Sequence, residues 1–140
     1  MKILAIDTSG GALSAALLDG EQLKAEYLVN HGLTHSQRLM PLLDTMLKDC
    51  GVGLADIDAF AAAKGPGSFT GLRIGVASVK ALGFAENKPV VGVNTLEALC
   101  CNLPGADVIC PLLDARNHQA FAAIYHRTDA ETRARLAPVR

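Results

Sequence analysis

Residues 65–75, GPGSFTGLRIG, place four glycines and one proline between an apolar run (57–63, IDAFAAA) and a long helical pattern over 70–86. A buried strand that feeds a helix through a glycine-rich turn is an α/β unit, and few folds accommodate it. The turn is not a Walker A loop: Gly65 and Gly71 are six apart, and Leu72-Arg73 stands where Lys-Ser/Thr would be needed. Nor is it a nucleophile elbow, because Pro66 and Thr70 flank Ser68 where glycines would be required. What remains is a set of backbone amides at a helix N-terminus, an unspecific anion site. Packing offers a reading without any ligand: Gly71, Gly75, Ser78 and Leu82 share one helix face, and their small side chains let a neighbouring backbone come close.

The rest of the chain fits the same class. Runs at 2–7 (KILAID) and 12–18 predict two strands; Asp19-Gly20 supplies a tight hairpin turn, and 22–29 alternates as the returning strand. Thr34-His35-Ser36-Gln37 fits a capping box opening a helix over 34–50, with Leu39, Leu42, Leu43, Met46 and Cys50 on one stripe and a kink expected near Pro41. Strands are predicted at 57–63, 89–93, 107–114 and 119–126, a further helix at 95–101, and a polar tail over 128–140. Three leading strands followed by alternating helices and strands predict a mixed sheet. The helix over 70–86 is apolar on nearly every side, so its second face is covered either by the helix over 34–50 or by a partner.

The chain has 140 residues, of which 50% are hydrophobic and 4% aromatic, so its core must be built from small and aliphatic side chains. A formal net charge of -1 offers no basic footprint for nucleic acid. Cys50, Cys100, Cys101 and Cys110 lack C-x-x-C spacing and read as reduced thiols. Lys2 is followed by four apolar residues before Asp7, too short for a signal-peptide core or a membrane span. A soluble, cytoplasmic protein is therefore expected. His31 and His35 are four apart, but the Thr34 cap places His31 outside the helix. Ser68, Asp114 and His118 have the chain order of a hydrolase triad without its elbow, and are read as coincidence.

In order along the chain, MKILAIDTS (1–9), HSQRLMPLLD (35–44), KGPGSFTGLRIGVASVKALG (64–83), VVGVNTLEAL (90–99) and LLDAR (112–116) resemble the TsaB family, also called YeaZ. The resemblance runs from Met1 to about Tyr125. It implies the actin, sugar kinase and Hsp70 (ASKHA) fold, with an N-terminal lobe over 1–105 and the start of a second, incomplete lobe over 106–140. It also implies a non-catalytic scaffold role beside the TsaD transferase, which moves a threonylcarbamoyl group onto the adenosine beside the anticodon of tRNAs reading A-starting codons.

That fold places a phosphate-binding turn after the first strand, so Asp7, Thr8, Ser9 and Gly10, with Gly65 and Gly67, are the candidates for weak ATP or ADP binding with magnesium. No tightly bound cofactor is expected. Two histidines four apart in TsaD-like enzymes are replaced here by Thr95 and Leu99, which removes a metal site. Gln119 and Phe121 stand where family members commonly have Glu and Tyr. Helices corresponding to 34–50 and 70–86 imply an interface built from Leu39, Leu42, Met46, Val76 and Lys80. It would serve TsaD, or a second copy when TsaD is absent, with TsaE and tRNA reached through the complex. The alternative class is a small ATPase or phosphotransferase of the same fold.

Overall fold

The computed structural model describes residues 1–30, 34–127 and 136–138. The chain opens with β1 (Lys2–Asp7), β2 (Leu13–Asp19) and β3 (Gln22–Val29), followed by α1 (His35–Asp49), β4 (Ala59–Ala63), α2 (Phe69–Ala85), β5 (Val90–Val93) and α3 (Thr95–Cys100). It continues with β6 (Val108–Ile109), β7 (Leu112–Arg116), β8 (Gln119–Ala122), β9 (Tyr125–Arg127) and β10 (Leu136–Pro138). The main sheet has the order β3-β2-β1-β4-β5, with β1 antiparallel to β2 and parallel to β4. This is the mixed α/β sheet that the pattern of strands and helices leads one to expect.

One face of the sheet carries the core. Leu4 and Ile6 of β1 sit beside Leu17 and Ala15 of β2 and beside Phe60 and Ala62 of β4. These residues pack against Leu39, Leu42, Leu43, Met46 and Leu47 of α1 and Val79 and Leu82 of α2. A smaller cluster of Leu96, Cys100, Ile109 and Tyr125 gathers the later elements.

Four local expectations are corrected. The first hairpin turns at Gly20-Glu21 and Asp19 remains in β2, paired with Gln22; Gly20 takes φ 62°, the conformation that a first central glycine allows. Thr34 is the N-cap of α1, but its side chain makes no capping bond; its carbonyl receives the Gln37 amide at 3.1 Å instead. The strand expected over 107–114 is broken between β6 and β7, where Pro111 has no amide to give a ladder. The strand expected over 119–126 is likewise divided into β8 and β9, which pair with different partners.

α1 runs unbroken past Pro41. α2 starts from a Ser68 cap and ends in a Schellman motif: Asn87 sits at φ 53°, and the Lys88 amide donates to Gly83 O at 2.8 Å. The polar tail lies largely outside the described residues, as does His31.

Candidate functional site

β1 and β4 are parallel, so their carboxyl ends lie together, and two loops meet there with the N-termini of α1 and α2. Thr8 is fully buried and its hydroxyl donates to Gly71 O at 2.8 Å. The Ser68 amide donates to Ser9 O at 2.7 Å, the Ser9 amide donates to Asp7 Oδ1 at 2.7 Å, and His35 Nε2 donates to Gly10 O at 2.9 Å. A methyl group on Gly71 would fall on the Thr8 carbonyl, and one on Gly75 on the Thr8 hydroxyl. These two glycines are therefore explained by close packing of α2 on the end of β1.

The six nucleotide candidates meet at this corner without forming one cradle. Ser9, Gly10 and Gly67 line a cleft with Gly11, Ser68 and Thr70. Asp7 lines a groove on the opposite face of the sheet, beside Ala5, Ala16, Ala61 and Ala63. Thr8 faces inward, and Gly65, at φ 111° and before a cis Pro66, spends its carbonyl on the Thr95 amide at 2.9 Å. Much of the polar inventory of these six residues is committed to hydrogen bonds within the corner that holds α2 in place.

The far wall of the cleft is the β7–β8 hairpin, with Leu113, Asp114, Ala115, Arg116 and Phe121. Its register shifts between Asp114 and Arg116, and Arg116, Asn117 and His118 all take positive φ (64°, 51° and 59°). The bulge re-aims the strand at its tip, and Asp114 Oδ1 holds it by accepting the Arg116 amide at 2.7 Å. The sequence marks Asp114-Ala115-Arg116 as part of a family-like motif without indicating its role. The only local signal was Asn117, a residue that tolerates a left-handed turn.

Ser68 and Asp114 have roles that need no nucleophile: Ser68 Oγ accepts the Gly71 amide at 3.4 Å as the α2 cap, and Asp114 closes its own turn. Among the described residues no group of three or more His, Cys, Asp or Glu side chains is placed to hold a metal ion. Thr95 is buried, and its hydroxyl has no hydrogen-bond partner. Asn94 caps α3 through the Leu96 and Glu97 amides at 2.9 and 3.2 Å.

The interface candidates divide as well. Leu39, Leu42 and Met46 are core residues, 1%, 8% and 0% exposed, so they cannot line a partner surface in this fold. Val76 is half-buried against the same core, and Lys80 alone of the five is exposed. α1 does not cover the outer face of α2: Phe69 and Phe84 are 74% and 90% exposed, and Arg73 and Ala77 lie open between them. The helical spacing 69, 73, 77, 80, 84 carries this stripe, and an all-round apolar composition concealed it.

The comparisons with known proteins agree with this architecture. The family model described as TsaD, tRNA N6-adenosine threonylcarbamoyltransferase, matches residues 32–138. A Bacillus subtilis protein named tRNA threonylcarbamoyladenosine biosynthesis protein TsaB is 41% identical over 89% of this chain and 55% of its own length. An Escherichia coli protein of the same name is 35% identical over 99% of this chain and 63% of its own. The structure of YeaZ from Pseudomonas aeruginosa superposes with a TM-score of 0.84 at 34% identity, covering 97% of this chain and 64% of that one. The chain thus spans somewhat over half the length of these relatives, and with its ASKHA-type sheet, its pinned α2 and these matches it belongs to the TsaD family of proteins, in the TsaB, or YeaZ, group.

Proposed function

We propose that this chain is a non-catalytic docking subunit in the formation of threonylcarbamoyladenosine on tRNA, and that it presents the outward face of α2 to a TsaD-type transferase. The observation that carries the reading is the exposed stripe Phe69, Arg73, Ala77, Lys80 and Phe84 on a helix whose opposite face is locked onto β1. Two large exposed aromatics on a rigid helix are a costly surface for a free protein and a suitable anchor for a bound one. The relatives' names place them in the same biosynthesis.

A TsaE-type ATPase and tRNA are reached through the complex, a second copy of the chain competes for the same stripe, and the setting is the cytoplasm. Among the described residues no helix is long and apolar enough to cross a membrane. No tightly bound cofactor is needed for this role. ATP or ADP with magnesium binds at most weakly at Ser9, Gly10 and Gly67, because the neighbouring polar groups are already paired.

The test is a reconstituted threonylcarbamoylation assay with the transferase, with and without this chain. Modification should depend on the chain, and the chain alone should turn over no ATP. Full modification in its absence, or ATP hydrolysis by the chain alone that Ser9→Ala and Gly67→Ala remove, would replace the docking role with a catalytic one.

A further inference from the structure

The loop between β1 and β2 is fixed at Ser9 and loose just beyond it. Ser9 is buried, and both its backbone groups are taken, the amide by Asp7 Oδ1 and the carbonyl by the Ser68 amide, each at 2.7 Å. Leu13, where β2 begins, is 1% exposed. Between these anchors lie two exposed glycines, Gly10 and Gly11, and neither has an atom within 4 Å of where a Cβ would stand. A segment of this kind has many backbone conformations open to it. Among the described residues its one hydrogen-bonded tether is the His35 ring, whose Nε2 donates to Gly10 O at 2.9 Å.

That tether orients more than a carbonyl. Gly10 C=O and Gly11 N–H belong to one trans peptide plane and point in opposite directions. With the carbonyl turned to α1, the Gly11 amide faces away from α1, and Gly11 lines the cleft together with Gly67, Ser68 and Thr70. The neighbouring polar groups at Ser9 and Thr8 are already paired, whereas among the described residues the Gly11 amide donates to nothing.

The other end of the tether is the start of α1, where the usual fixings are missing. The Thr34 side chain makes no capping bond, and the first turn carries no acidic residue. Pro41 has no amide to give the Gln37 carbonyl, so the turn also lacks one of its internal bonds. Leu39, 1% exposed, is the first residue of α1 anchored in the core. His35 thus joins two sparsely bonded segments, the glycine strap and the first turn of α1, and ordering one orders the other.

We propose that His35 is a positioning residue that couples the cleft to α1: it turns the Gly11 amide towards a phosphate group in the cleft, and a phosphate held there steadies the first turn of α1. The proposal rests on the weak nucleotide binding given to the cleft above, and it is independent of the docking face on α2.

The test follows the isotope-labelled full chain by nuclear magnetic resonance as ADP with magnesium is added. The variants are His35→Gln, whose side-chain amide can still donate to Gly10 O, and His35→Ala, which has no donor; circular dichroism checks that each keeps the parent's fold. In the parent, ADP should shift the Gly10 and Gly11 signals and slow hydrogen exchange of the Leu39 and Met40 amides, whose helical partners lie in the first turn of α1. His35→Ala should bind ADP about fivefold more weakly, the worth of one ordinary hydrogen bond, and lose the slowing. His35→Gln should restore both. The exchange measurement needs no variant, so it decides the coupling even where His35→Ala does not fold.

ADP that binds folded His35→Ala as tightly as the parent, or that leaves exchange in α1 unchanged while shifting Gly10 and Gly11, would overturn the proposal and leave the nucleotide reading of the cleft standing. A parent whose Gly10 and Gly11 signals ignore ADP would overturn both.

Discussion

At the scale of single residues, Thr8 organises the corner where α2 meets the sheet. Its hydroxyl holds Gly71 O, and its backbone and side chain leave no room for a methyl group on Gly71 or Gly75. An alanine in the middle of a helix normally stabilises it by about 1 kcal/mol relative to glycine. Here the sign should invert. Gly71→Ala and Gly75→Ala are expected to destabilise by about 1–3 kcal/mol, because α2 must lift from β1. Gly10, with open space around its Cα, is the control: Gly10→Ala should leave the denaturation midpoint nearly unchanged. Urea titrations of the three variants decide the point, and equal midpoints would refute the packing explanation of the glycine-rich segment. Met46→Asp, which places a charge at a fully buried position, should fail to give a folded chain, as read by circular dichroism.

Tyr27 supplies a pH test at the same scale. Its hydroxyl donates to Asp49, which ties β3 to the end of α1, and that bond is the main reason its pKa lies above the ordinary 10.0, with desolvation and the Asp49 charge adding to it. A raised acid pKa means the contact contributes fully below the unfolded value of 10.0 and is lost as pH climbs through the folded value. Phenolate absorbance should therefore appear at lower pH in Asp49→Asn than in the parent. Coincident titrations would mean that the hydrogen bond does not hold the proton.

At the scale of elements, the strands and helices of the main sheet were largely legible, because their signals are local. β1 and β3 follow from apolar runs and alternation, and α1 from its Leu and Met stripe. The later strands were harder to read, because Pro111 breaks one apolar run and the ladders that divide the other are set by partners distant in sequence. The site was legible only in part. The sequence brings Asp7 to Gly10 near Gly65 and Gly67, but it does not say which polar groups point into a cleft and which are consumed by α2.

Three of the interface candidates prove to be core for a related reason. Leu39, Leu42 and Met46 are apolar at helical spacing, which marks a buried stripe without saying whether the covering surface belongs to the same chain. Burial against the sheet settles that question for α1. On α2 the glycines occupy the inner face, so its large apolar side chains at Phe69 and Phe84 are left outside. The inner face of this helix is small where it meets β1, at Gly71 and Gly75, and carries Val79 and Leu82 further along.

At the scale of the whole molecule, the sheet, the locked corner and the outward stripe assign different tasks to different parts. The corner fixes the angle of α2 by buried hydrogen bonds and close backbone contact. In the proposed docking role, that fixed angle preorganises the stripe, so little ordering entropy would oppose binding. The docking role stands most directly on the affinity of the transferase for the parent and for Phe84→Asp, measured by calorimetry with circular dichroism as the folding control. Phe84 is 90% exposed and its removal leaves the core intact, so the variant should be folded like the parent. Loss of an aromatic anchor and burial of a carboxylate in its place should weaken binding by roughly 30-fold or more. A folded Phe84→Asp that binds the transferase as tightly as the parent would contradict the assignment of α2's outward face as the docking surface.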